Sequence, residues 1–243
     1  MGSVFEEWRI RLKKGETIQI VTAEDFKHMT EMTWGKYEFM NDIDLSGINI
    51  KPEYYGSFGY AGTVNGNGFT IKNLTLDKVH TIGDHDQFSL FGKIFGADIS
   101  NINFDNVKLN IKSNNKVDFG LIGNYCSELK CKNITLKGFH LPNANLHEVG
   151  GLFGWLDGGI AENCKVSMTV DDDLQDTSKL FTGYKGAIAG STRFCKIRNC
   201  EAEVIQKNEI IHGFVDYFRC TLYKCKSNID LYGQRDSGAR IYE

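Results

Sequence analysis

The stretch Gly151-Leu152-Phe153-Gly154, running on to Ala161-Glu162-Asn163-Cys164, decides the fold, because the chain repeats it. A small apolar block closed by Gly is followed by an apolar-x-Asn-apolar block. The same order recurs at Ser89-Leu90-Phe91-Gly92 with Ile99-Ser100-Asn101-Ile102, and at Gly120-Leu121-Ile122-Gly123 with Cys131-Lys132-Asn133-Ile134. It returns at Ala187-Ile188-Ala189-Gly190 with Ile197-Arg198-Asn199-Cys200. Beyond each Asn, apolar residues fall at every second position, as in Ile102-Asn103-Phe104 and Ile134-Thr135-Leu136. That is the strand period, and helical i, i+4 spacing does not fit it.

Counted at the Asn position, the units fall at Asn73, Asn101, Asn133, Asn163, Asn199 and Lys224, with spacings of 28, 32, 30, 36 and 25. Constant blocks at uneven spacing predict stacked strands joined by loops of unequal length. One unit cannot bury its apolar face alone, whereas stacked units share a continuous core. The Asn column then has a structural task. Asn tolerates left-handed corners, and its amides can bond along a stack.

The seven Cys follow the same logic. Cys164, Cys200 and Cys225 occupy the place that Ile102 and Ile134 hold in other units. A position that accepts Ile or Cys is inward and apolar, where a free thiol acts as a small hydrophobe. Reduced, stacked thiols are therefore expected rather than a disulfide framework. No CxxC or Cys/His spacing suggests zinc, and no metal site is expected.

At 243 residues the chain can bury a sizeable core. A net charge of −3 gives no electrostatic case for nucleic acid. With 26 Gly and 2 Pro, it lacks the look of a Pro-rich linker or disordered tract. No apolar run is long enough to span a bilayer, so no membrane insertion is expected. Residues 1–14 lack the apolar segment of a secretory signal, so synthesis and residence in the cytoplasm are expected unless the chain is packaged in a virion.

The N-terminal part reads differently. Ser3 and Glu6 form a capping-box pattern ahead of the stripe Val4, Phe5, Trp8 and Leu12, with Gly15 as the stop. Thr22 to Asp25 opens a second amphipathic segment carrying Phe26, Met29 and Met32. Residues 1–35 are read as a cap of one or two short helices, 36–233 as the repeat domain and 234–243 as a polar tail or edge cover. Asn65-Gly66-Asn67-Gly68 is a turn between strands.

The runs IVTAEDFKHM (20–29), YEFMNDIDLSG (37–47) and GTVNGNGFTIKNLTL (62–76) carry a family resemblance, together with SLFGKIFGADISNINF (89–104) and GGLFGWLDGGIAENCKV (150–166). They resemble right-handed parallel β-helix proteins with GLUG-type repeats, over about Thr17 to Leu231. The resemblance implies an all-β chain: a right-handed, single-stranded parallel β-helix solenoid of about six to eight coils with an N-terminal helical cap. Such repeats occur in bacterial surface adhesins and in phage or prophage structural proteins. The wider pectate-lyase-like class adds polysaccharide lyases and glycoside hydrolases. The expected role is a non-catalytic structural or binding module of a virion, of the tail, baseplate or fibre type. Its expected partner is a cell-surface polysaccharide or another virion or host protein. The alternatives are a β-helix polysaccharide lyase or hydrolase, a surface adhesin, and an intracellular protein that binds a host factor. The pattern departs late, at Lys224 and at Asp216 in Gly213-Phe214-Val215-Asp216, where an irregular last unit is expected.

No residue set commits the chain to catalysis. The acid clusters Asp171-Asp172-Asp173 and Asp84-His85-Asp86 are the places where acid/base or metal chemistry would be sought. Both read as solvated loops, and calcium is the one cation they suggest; otherwise no cofactor is expected. Aromatic residues are the better binding signal, because sugars stack on ring faces. Tyr54, Tyr55 and Tyr60 cluster before the first repeat and Trp155 follows a Gly corner. Trp8 in the cap is read as a core or partner contact. Loops 80–88, 113–118, 139–149 and 171–183 are the expected presenting surface.

Overall fold

The structure is a computed structural model that describes the chain except residues 1–3, 33, 53–58, 143, 172–182, 209, 237–239 and 243. Helix α1 (Val4–Lys13) turns Trp8 and Leu12 inward. Ser3, its expected cap, lies outside the described residues. Helix α2 (Ala23–Thr30) begins at Thr22. The Thr22 hydroxyl accepts the Asp25 N–H at 3.1 Å, and the Asp25 carboxylate accepts the Thr22 N–H at 2.8 Å. This reciprocal cap satisfies two backbone donors at the helix start, and α2 buries Phe26 and Met29.

The remaining regular structure is strand, in one sheet of 20 strands and one of three. Every ladder among the described residues is parallel except the hairpin of His80–Ile82 with His85–Phe88. The long strand Gly123–Leu141 pairs with Asp98–Asp105 on one side, and with Phe153–Glu162 and Lys165–Val170 on the other. Inward-facing register partners are apolar in column after column. Val64, Ile99, Cys131, Ala161, Ile197 and Leu222 stand in one register column, and Ile71, Phe104, Leu136, Val166 and Ala202 in another. All of these are buried.

The corner Asn residues explain how one strand feeds two columns. Asn101, Asn133, Asn163 and Asn199 have φ between 50° and 60°, and Lys224 joins them at 49°. A left-handed residue resets the strand alternation, so Ile99 and Ile102, three apart, both face inward. The amides form a ladder: Asn101 Nδ2 donates to Asn65 Oδ1 at 2.9 Å, Asn133 to Asn101 at 2.7 Å, Asn163 to Asn133 at 3.0 Å and Asn199 to Asn163 at 3.2 Å. Asn73 is not in this column. It belongs to a second one, donating to Asp44 Oδ1 and accepting from Asn106. The sequence count misassigned it because both columns use Asn at a left-handed corner. Asn133→Ala removes two ladder bonds and places Ala in the left-handed region, so it should lower the unfolding free energy by about 2 kcal/mol in urea titration.

Two boundaries move. Parallel pairing begins at Ile18–Ile20, which joins Trp34–Phe39, so the sheet starts inside the segment read as a cap. Only α1 precedes it. At the other end, Tyr232–Asp236 and Arg240–Tyr242 pair in parallel with Gly213–Tyr223, covering its edge rather than hanging as a tail. The expected turn at Asn65 to Gly68 is a corner within one layer of the stack: Ala61–Asn65 and Thr70–Lys72, on either side of it, both pair with Asp98–Asp105. Asp216, which breaks the Gly pattern, is buried and accepts the Lys185 N–H at 2.7 Å and faces His212 Nδ1 at 2.9 Å.

All seven cysteines are free and six are buried. Burial pushes the Cys126 thiol up, which keeps it protonated and unreactive. Among the described residues, no helix is long and apolar enough to cross a membrane.

Candidate functional site

Two strand stacks meet at the apolar-Gly block and leave a cleft of about 440 Å³ between them. Gln87, Asp118 and Glu148 line one wall, Lys93, Phe95, Tyr125 and Trp155 the other, and Asn124 and Gly154 lie between. The register generates both walls. Lys93, Tyr125, Trp155 and Ser191 are aligned across four parallel strands. Gln87 faces Asp118 in the ladder before the corner.

The aromatic wall is a graded row. Ring centroids lie 6.0 Å apart for Phe95 and Tyr125, and 5.7 Å apart for Tyr125 and Trp155. The Arg193 guanidinium sits 5.8 Å from the Trp155 ring and 5.9 Å from Phe194. Tyr125 donates to Asp157 at 3.0 Å, and Arg193 Nε donates to the other oxygen of the same carboxylate at 3.0 Å; Arg193 Nη2 also bonds Asp157. The Arg193 hydrogen bond holds the Asp157 carboxyl below its usual range. These bonds fix the ring planes. The Trp155 indole N–H is buried with no hydrogen-bond partner among the described residues. Phe194, the other ring beside the Arg193 guanidinium, is 73% exposed and has φ 51°.

The acidic wall depends on an irregularity. Val117 faces Leu146 and Phe119 faces Val149, so Asp118 stands opposite two residues, His147 and Glu148. A bulge of this kind re-aims side chains. Asp118 Oδ1 accepts the Glu148 N–H at 3.2 Å and lies 2.9 Å from His147 Nδ1. His85 Nδ1 approaches the same carboxylate at 3.2 Å. The two imidazole rings meet edge to face at 4.4 Å. Burial pushes the Glu148 carboxyl up to about 7; the Ser191 hydroxyl, donating at 2.6 Å, opposes the rise and the Asp118 charge adds to it. At neutral pH this wall therefore offers both hydrogen-bond donors and acceptors. Asn124 is nearly buried, donating to the Phe88 and Asp118 carbonyls and accepting from the Ser89 hydroxyl at 2.7 Å.

The residues singled out from sequence divide. Trp155 lines the cleft. Tyr60 does not: its ring is buried 4.5 Å from Phe91, so it offers no face to a ligand. Trp8 is likewise buried, against His28 and Tyr37, and is a core contact rather than a partner surface. Tyr54, Tyr55, Asp172 and Asp173 lie outside the described residues. Asp171 approaches His140 at 3.7 Å.

The Asp84-His85-Asp86 segment is not a solvated loop. His85 and Asp86 belong to strand His85–Phe88, and Asp86 is buried. Burial acts to raise the Asp86 carboxyl, but hydrogen bonds from Ser113, Thr81, Asn115 and Lys78 outweigh it and hold it at about 2. Asp84 stays exposed and pairs with Lys116 at 3.1 Å. Parts of the expected presenting loops are also strand: 85–88, 116–120 and 146–150 form the acidic wall itself. Asp118, Tyr125, Glu148 and Phe194 were missed, because their grouping arises from register and a bulge, not from nearness in sequence.

No family model matches the chain, and no curated protein is significantly similar to it in sequence. Among solved structures it is similar to one from Bacteroides ovatus described as a "putative immunoglobulin A1 protease". The TM-score is 0.62 at 18% identity, over 94% of this chain and 74% of that one. At that identity the likeness is one of fold.

Proposed function

We propose that the chain is a right-handed parallel β-helix that serves as a non-catalytic binding module, holding a glycan in the cleft between its aromatic and acidic walls. Parallel ladders whose Asn partners lie 30 to 36 residues apart support the helix, as does the fold likeness to the Bacteroides protein. Right-handedness follows the strong rule for parallel crossovers. A virion-borne or cell-surface setting suits a module of this kind.

One observation carries the ligand class: three aromatic side chains in a row, Phe95, Tyr125 and Trp155, with successive ring planes 54° and 66° apart, line the same cleft as Asp118 and Glu148. Sugar rings present C–H faces to aromatic side chains and hydroxyls to carboxylates and amides, which is the mixture this cleft supplies. The polar trough lined by Asn67, Asn101, Asn133 and Asn163 lacks that mixture, since its amides are spent on the ladder.

A glycan array with the intact chain, followed by affinity electrophoresis on the selected polysaccharide, tests the reading. Trp155→Ala should weaken retention by roughly 30-fold, the loss of about 2 kcal/mol from a central aromatic anchor. Phe194→Ala should weaken it less and leave stability unchanged. Equal retention of the Trp155→Ala protein would remove the cleft from consideration. Release of new reducing ends or of an unsaturated-uronate absorbance would replace binding by cleavage.

A further inference from the structure

We propose that His85, Asp118 and His147 form a binding site for a divalent transition-metal cation of the zinc type, at the edge of the cleft. One ligand atom from each of the three residues lies within 4.8 Å of the others. His85 Nδ1 and His147 Nδ1 converge on the Asp118 carboxylate at 3.2 and 2.9 Å. In a tetrahedral zinc site with bonds of about 2.0–2.1 Å, ligand atoms stand about 3.3 Å apart, close to the two distances to Asp118, with the third pair within 4.8 Å. Two imidazoles and a carboxylate are a donor set that suits zinc and its neighbours rather than calcium or magnesium.

The hydrogen-bond count at His85 argues further. Its Nδ1 faces Asp118, while its Nε2 lies 3.4 Å from the Asp84 carboxylate. A neutral imidazole has one N–H and can satisfy only one of two acceptors. A metal on the two Nδ1 atoms resolves this. His85 then keeps its proton on Nε2 and donates it to Asp84, which Lys116 holds at 3.1 Å. A carboxylate behind a ligating histidine is the usual outer-shell arrangement at metal sites. Asp118 also lines the cleft, so the site adjoins it. Binding releases whatever protons the two Nδ1 atoms carry. The three ligands come from three parallel strands, and the bulge opposite Asp118 brings His147 into place. Their separations of 33 and 29 residues in sequence hide them from any spacing motif. This site does not depend on the glycan reading, and its test uses no saccharide.

The test is titration of the chelator-stripped intact chain with Zn²⁺ alone by calorimetry, and with Co²⁺ by visible absorption. The expected result is one equivalent of Zn²⁺, a higher Tm, and Co²⁺ bands of tetrahedral intensity. Asp118→Asn and His147→Ala should each weaken Zn²⁺ binding by about 100-fold or more, and Asp84→Asn by about 10-fold through its hold on His85. Should a variant not fold, ¹⁵N histidine spectra of the unmutated chain decide: Zn²⁺ should perturb Nδ1 of His85 and His147 at one equivalent. No saturable binding, binding unaffected by Asp118→Asn, or coordination through Nε2 would overturn the proposal.

Discussion

Ile134→Asp should abolish soluble expression. Ile134 is fully buried, on the strand that pairs Ile102 with it and leads to Cys164 in the next ladder. The surrounding columns are apolar or thiol, and among the described residues they hold no cation to receive a carboxylate. Burying an unpaired carboxylate, or the neutral acid it becomes, costs several kcal/mol. Domains of this size have about 5–15 kcal/mol of stability in total, so one such change removes a large share of it. Lys130 is the control, on the same strand and exposed. Lys130→Gln, which keeps a polar side chain opposite Asp98, should stay within about 0.5 kcal/mol of the unmutated chain. Expression yield, far-ultraviolet circular dichroism and urea titration check both. A folded Ile134→Asp protein would place the inward face elsewhere.

Gly150→Ala should destabilise the chain by about 3 kcal/mol or more, although it adds a single methyl group. A Cβ at Gly150 would lie 1.9 Å from the Phe153 carbonyl oxygen, 2.6 Å from Ala189 Cα and 2.7 Å from the Gly190 nitrogen. All three are main-chain or Cα atoms, which cannot rotate away. The constraint is shared down a register column, where Gly120 pairs with Gly150, Gly150 with Gly186 and Gly186 with Gly213. Space, not backbone conformation, excludes a side chain there. Gly68 supplies the contrast, with φ +82° and nothing within 4 Å of its would-be Cβ. Gly68→Ala should lose only about 1 kcal/mol, the price of a left-handed alanine. Equal losses at the two positions, measured by urea titration, would contradict the crowding account.

This column is not the set of block-closing glycines legible in the sequence, Gly92, Gly123, Gly154 and Gly190: Gly120 opens a block, and Gly150 and Gly186 stand just before one. At Gly120, Gly150 and Gly186 the strand turns so tightly that the carbonyl three residues on crowds the Cβ position. Alternation after each Asn and the exchange of Ile134 for Cys164 follow directly from burial, and each could be read one residue at a time. Asn73 was misplaced because corner chemistry looks the same in two columns, and only the partners Asn65 and Asp44 tell them apart.

The cleft was far less legible. Trp155 could be singled out as an aromatic beside a Gly corner, but its neighbours Tyr125 and Arg193 reach it only through ladder register. Asp118, His147 and Glu148 meet because two residues oppose one in the Leu146–Gly150 strand, a shift with no signature in composition. His85 and Asp86 looked like a loop tip because polar residues at adjacent positions resemble solvent exposure. Asp86 is instead a buried hub for Thr81, Ser113, Asn115 and Lys78.

The most direct measurement is a crystal structure of the intact chain with an oligosaccharide selected from the array. The account predicts a sugar ring stacked on Trp155 and touching Tyr125, with hydroxyls reaching Asp118 and Glu148. A saccharide seated in the Asn101–Asn133 trough, or on any face away from Trp155, would contradict it.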